Sequence, residues 1–134
     1  MDIGLISCGK NKLNYRAKAK ELYTGDLFKK SLTYSTKNYD KTFILSAKYG
    51  LIGLNDIIEP YNLTLNDFKE ADKKRWSFKV YNQIINNINP DDNIYWHCGI
   101  NYRKYIARVL PNKQFIPLEG LGLLKQLSWY KNNL

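Results

Sequence analysis

Short apolar runs alternate with segments of helical period along this chain. Residues 2–7, Asp-Ile-Gly-Leu-Ile-Ser, are too few for a helix and predict a short buried strand. After Tyr23-Thr24-Gly25-Asp26 a helix is expected, capped by Thr24 or Asp26, with Leu27, Phe28, Ser31, Leu32 and Ser35 facing inward. Residues 42–46, Thr-Phe-Ile-Leu-Ser, predict a second buried strand. Residues 47–65 are Gly-rich, contain Pro60 and show no period, which predicts a long loop of the kind that often serves as a lid. Asn66 or Asp67 then caps a long helix to about Asn87, with Phe78, Tyr81, Ile84, Ile85 and Ile88 at helical spacing. Asn89-Pro90-Asp91-Asp92 is a turn, and 93–97 a third strand. Asn101 to Leu110 reads as a helix with Tyr102, Tyr105, Ile106 and Val109 on one side, broken by Pro111. A fourth strand over 113–117 and a last helix over 121–131 complete the pattern.

Strand and helix alternating four times predicts an α/β domain spanning residues 1–134. The expected architecture is three-layered and Rossmann-like: a four-stranded, mainly parallel sheet with helices on both faces and right-handed crossovers. Open sheets of this kind bind ligands beyond the carboxyl ends of their strands, where strand order reverses. All four such ends carry small residues beside a reactive or charged one. They are Ser7-Cys8-Gly9-Lys10-Asn11-Lys12, Ser46-Ala47-Lys48-Tyr49-Gly50, His97-Cys98-Gly99 and Glu119-Gly120-Leu121-Gly122. The topology predicts that they share one rim.

The chemistry of these residues suggests roles. Gly9 lets a backbone approach an anion, and Lys10, Lys12 and Lys48 add positive charge. The spacing is that of neither a Walker loop nor a dinucleotide fingerprint. The plainer explanation is a glycine turn flanked by solvated lysines. Ser7, Ser46, Gly50 and Gly99 join Gly9 as candidates for close approach to a phosphate. His97, the single histidine, is the side chain whose ordinary pKa suits proton transfer near neutrality, although a lone histidine is commonly a structural hydrogen-bonder. Glu119 is either a reactive carboxylate or an acid at the start of the last helix. Tyr23 and Tyr61 are candidates to stack on a base, or fillers. Cys8 and Cys98 read as small apolar fillers; with His97 they do not make a convincing zinc set, so neither metal nor other cofactor is expected.

Charge narrows the partner. The 134 residues hold 21 Lys plus Arg against 12 Asp plus Glu, a formal +9. Residues 1–50 alone hold ten basic residues against four acidic ones. Such a field attracts nucleotides and nucleic acid, although a lysine-rich surface from an AT-rich genome would give the same count. No apolar run is long enough for a membrane span, no basic leader opens the chain, and two cysteines make no disulfide framework, so a reducing cytoplasm is expected.

Several segments in combination carry a resemblance. They are Leu5-Ile6-Ser7-Cys8-Gly9-Lys10-Asn11-Lys12, Ala19-Lys20-Glu21-Leu22-Tyr23-Thr24-Gly25-Asp26-Leu27-Phe28, Ile44-Leu45-Ser46-Ala47-Lys48-Tyr49-Gly50-Leu51, Pro60-Tyr61 and Pro117-Leu118-Glu119-Gly120-Leu121-Gly122. Together they resemble a family of small bacterial and phage proteins of unknown function. Leu45 to Tyr61 is also similar to the YaaA peroxide-stress proteins. That likeness implies an α/β core and an interaction with DNA.

The expected function is binding of a nucleotide, or of a nucleobase within nucleic acid, with an N-glycosidic bond as the bond to be acted on by Glu119 or His97. Two alternatives stand beside it: a non-catalytic basic nucleic-acid-binding protein, and a phage-type protein-interaction module.

Overall fold

A computed structural model describes residues 1–134. Its core is a sheet of five strands: β1 (Asp2–Ser7), β3 (Lys41–Ser46), β4 (Gly50–Gly53), β6 (Asn93–His97) and β7 (Gln114–Phe115), in the order β4-β3-β1-β6-β7. Strands β1, β3, β6 and β7 are the four predicted ones, and they run parallel. β4 is antiparallel to β3, with Ser46 opposite Gly50.

The fifth strand corrects the predicted long loop. Residues 47–65 are not one structureless stretch. Ala47-Lys48-Tyr49 turns the chain, Gly50 takes φ 76°, and β4 pairs back along β3. Farther on, β5 (Ile57–Ile58) pairs antiparallel with β2 (Ala17–Lys18), and Leu65–Asp67 forms a 3-10 turn. A four-residue strand bounded by glycines carries too little hydrophobic alternation to be seen in a sequence. Gly50 is required twice over: its φ is left-handed, and a Cβ there would lie 2.3 Å from Gln83 Oε1, the atom that accepts from Leu51 N.

Helices cover both faces. Because side chains alternate along a strand, Ile3 and Leu5 of β1 pack with Leu45, Ile94 and Trp96 against α3 (Glu70–Asn87) and α4 (Ile100–Ala107). Ile6 points the other way and packs with Ile44 and Phe28 of α2 (Asp26–Asn38); the short α1 (Ala19–Leu22) lies in the same cluster, and α5 (Leu123–Asn133) packs beside α2. Gly4 is the point of closest approach of α2 to the sheet, since a Cβ there would sit 2.0 Å from Ser35 Oγ.

Two predicted helix faces hold in part: Ile84 and Ile88 of one and Tyr102 and Ile106 of the other are buried, but three predicted residues are exposed. Phe78 and Ile85 stand 70% and 48% exposed, while Trp76, Ser77, Val80 and Ile84 turn inward. Phe78 lies two residues from both Trp76 and Val80, about 200° around the helix, and cannot share their face. Val109 is 56% exposed beyond the end of α4. The predicted strand over 113–117 shrinks to two residues at the sheet edge.

Candidate functional site

Strand order decides which predicted residues meet. The connection leaving β1 runs toward β3, and the one leaving β6 runs toward β7, so the crevice opens between the carboxyl ends of β1 and β6. A cleft of about 1050 Å³ lies there. Ser7, Gly9, Lys10, Lys12, His97 and Gly99 line it. Ser46, Lys48, Gly50, Tyr23, Tyr61 and Glu119 do not. The single rim expected from four strand ends is therefore a crevice of two, and the other two ends are diverted. β3 continues straight into its hairpin, with Trp76 Nε1 donating to Ser46 O at 3.0 Å over its end. The chain after β7 turns away to place Glu119, exposed, on a second cavity of about 380 Å³.

The segment after β1 is held in a fold-back. Cys8 N continues the ladder to Leu45 O at 3.0 Å. Leu13 N donates to Leu22 O and Thr24 N to Asn11 O, both at 2.9 Å, around an antiparallel bridge between Lys12 and Tyr23. This brings the Gly9–Lys12 loop against the start of α2. Lys12 Nζ sits 4.4 Å from the Tyr61 ring centre and 5.7 Å from that of Tyr23, and donates to Lys10 O at 3.2 Å. It has no carboxylate partner, and burial pulls its pKa down.

Tyr61 and Tyr23 themselves lie behind Lys12, joined in a hydroxyl chain with Ser46. Ser46 Oγ accepts from Lys48 N at 3.2 Å and Tyr49 N at 3.0 Å, which uses both lone pairs. Its hydrogen then goes to Tyr61 Oη at 2.7 Å, and Tyr61 Oη shares a second hydrogen bond with Tyr23 Oη at 2.6 Å. Tyr23 is buried, and burial pushes its phenol up to about 12. Neither ring presents a face to the cleft for a base to stack on; they support the loop that carries Lys12. Lys48 is exposed, 5.3 Å from the Tyr49 ring centre.

His97 is buried on the α2 and α5 side of the sheet. Tyr39 Oη lies 2.7 Å from Nε2 and Tyr130 Oη 2.7 Å from Nδ1, so both ring nitrogens are engaged. Burial lowers its pKa to about 4, which leaves the ring neutral near pH 7. At the cleft floor, Cys8 Sγ lies 3.6 Å from Tyr102 Oη. Cys98 is held as the thiol, its pKa raised to about 12 by burial.

Several cleft features were not visible in the sequence. Helices α2 and α4 begin at Gly25 and Gly99, which line the cleft, and α5 begins at Gly122 beside it. None of the three has a side-chain cap. All three glycines have negative φ, and a Cβ would meet nothing within 4 Å. Nothing in the backbone demands glycine there, yet its effect is to leave the first-turn N–H groups bare. Two carboxylates, Asp26 and Asp67, also line the cleft, and Asp26 is paired with Lys30 at 2.9 Å. Helix starts are local and could be sought as Thr-Gly-Asp or Cys-Gly-Ile, but that they face one another is a property of the fold.

The chain belongs to a family of unknown function, DUF6884, whose model matches residues 3–132. No curated protein and no solved structure matches it.

Proposed function

We propose that this protein binds a nucleotide, free or as an extruded unit of nucleic acid, with its phosphate in the cleft between the ends of β1 and β6. The observation that carries the reading is the convergence of the Gly9–Lys12 loop with two bare helix starts, at Gly25 and Gly99, in one crevice. Each helix start offers unpaired N–H groups and about half a positive charge. Lys12 adds an ammonium that no carboxylate neutralises. An anion lodged there would satisfy all of them at once.

The N-glycosidic bond remains the bond proposed for any chemistry, and its carriers must be carboxylates. Engagement of both His97 nitrogens leaves that ring no lone pair or hydrogen to exchange with a substrate. Asp67, in the cleft, is the group that supplies one.

The test is calorimetric titration with purine and pyrimidine nucleotides, alongside an assay for released base. Replacing Gly99 by Asp is the most informative change. The site has room for the side chain, and a capping carboxylate should leave α4 as stable or add about 0.5–1 kcal/mol. It should also fill the anion position and weaken nucleotide binding at least tenfold. A stable Gly99→Asp protein that binds as the parent does would refute the cleft.

A second reading has its own observation. On α3 and α4, Lys104 Nζ and the Arg108 guanidinium each lie 4.9 Å from the Tyr105 ring centre, and Lys74 Nζ lies 5.6 Å from it. Three cations around one ring, none of them lining the cleft, suit a phosphate backbone, with Glu70 bridging to Lys104 at 3.3 Å. Under this reading DNA affinity falls log-linearly with salt, and Lys74→Glu with Arg108→Glu flattens that slope while Gly99→Asp leaves it unchanged.

A further inference from the structure

The second cavity, of about 380 Å³, adjoins the cleft through His97, Gly99 and Gln126, which line both. Its walls include Trp96, Ile116 and Leu118. Two charged side chains also line it: Arg103, from α4, and Glu119. They form no ion pair with each other. Arg103 Nε is buried and has no hydrogen-bond partner. A guanidinium atom removed from water without an acceptor is costly, and native structures rarely leave one so.

We propose that this cavity is a nucleobase pocket selective for 6-oxopurines, with Arg103 donating to the O6/N7 edge and Glu119 accepting from the N1–H side. The placement of the phosphate rests on the cleft reading above; the recognition of the base does not.

The chemistry selects among occupants. A second phosphate or a carboxylate would satisfy Arg103 but would stand in the same small cavity as the Glu119 carboxylate, which repels it. A planar base with apolar faces suits Trp96, Ile116 and Leu118. Guanine and hypoxanthine present two adjacent acceptors to a guanidinium fork and an N–H donor to a carboxylate. Adenine replaces O6 with an amino donor, which faces Arg103 donor to donor. Cytosine and uracil lack N7. A nucleotide lying across Gly99 would put its base in this cavity and its phosphate at the bare start of α4.

The experiment separates base from phosphate. Guanosine and adenosine, which carry no phosphate, are titrated beside GMP, AMP and inorganic phosphate, into the parent, Arg103→Met and Lys12→Ala. The expected result is that guanosine binds at least tenfold more tightly than adenosine. Arg103→Met should abolish that preference, whereas Lys12→Ala should weaken GMP and leave guanosine within twofold. The Arg103 side chain makes no hydrogen bond to the rest of the chain, so its replacement breaks none; thermal unfolding checks that the variant is folded, and Arg103→Lys, which keeps the charge without the fork, should lose the preference too. Equal binding of guanosine and adenosine, or binding of neither, overturns the proposal even if GMP and AMP bind equally well through phosphate. Loss of inorganic phosphate binding in Arg103→Met, with no base preference in the parent, would make Arg103 an anion site instead. Failure of every phosphorylated ligand with guanosine still selected would sink the cleft and keep the base pocket.

Discussion

The His97 site makes the sharpest prediction about stability, because the chain has one histidine and its proton can be followed without ambiguity. The perturbation is pH. In the folded chain the ring is packed against Tyr34, Tyr39, Trp129 and Tyr130, with no carboxylate among them, and its pKa is lowered to about 4 from the ordinary 6.5. Protonation would make both nitrogens donors, so the one phenol that now donates to the unprotonated nitrogen would lose its acceptor. The unfolded chain takes up the proton first. The stability tied to the neutral ring is therefore complete above pH 6.5 and is lost as pH falls through about 4. The full difference is about 3 kcal/mol, of which about 2 kcal/mol disappears between pH 7 and pH 5. Carboxylates titrate in the same range, so the measured quantity is the difference between the parent and His97→Gln, each unfolded in urea at pH 7, 6 and 5. The parent should lose about 2 kcal/mol more than the variant over that span. In parallel, the imidazole nitrogen resonances should show a neutral ring down to about pH 5. An imidazole that titrates near 6.5 in the folded protein, or parallel stability curves for the two proteins, would refute both the burial argument and the assignment of His97 as a neutral structural residue.

Other outcomes follow from the same geometry. Tyr61→Phe removes the hydroxyl that bonds both Ser46 and Tyr23, and should cost about 1–3 kcal/mol in urea unfolding; a loss below about 0.5 kcal/mol, on the scale of an exposed polar group, would show that the chain of hydroxyls is not formed. Gly4→Ala places a methyl 2.0 Å from Ser35 Oγ under α2 and should destabilise by about 1–3 kcal/mol, whereas Gly25→Ala, with open space around it, should change stability by much less; equal effects would contradict the close approach. Cys98, held protonated by burial, should resist iodoacetamide at pH 8 far longer than a free thiol, which intact mass with peptide mapping will report; rapid native-state labelling of Cys98 would refute it.

The parallel sheet was legible because β1, β3 and β6 are apolar runs of five or six residues, buried from both sides and separated by helical stretches. β4 was not, because its pairing with β3 depends on a left-handed glycine and on the Gln83 carboxamide arriving from α3. The α3 face failed at Phe78 and Ile85 for a related reason. Periodicity lists every apolar residue on a helix, but which stripe faces the sheet is settled by the Trp76 indole reaching Ser46 O.

The candidate site divides the same way. Ser7, Gly9, Lys10, Lys12 and Gly99 are read from local pattern, since any residue just beyond a parallel strand lies at the carboxyl edge. Which edges meet is a matter of strand order, and no local pattern encodes it. By itself the sequence determined the α/β class, the cationic surface and the chemical kinds of group at each strand end, because these follow from side-chain type and period alone. Only the tertiary structure decided that β1 and β6 share the cleft, that His97 is locked between two phenols, and that an unpaired Arg103 faces a cavity with Glu119. Each of those depends on contacts between residues tens of positions apart, set by how the helices pack on the sheet.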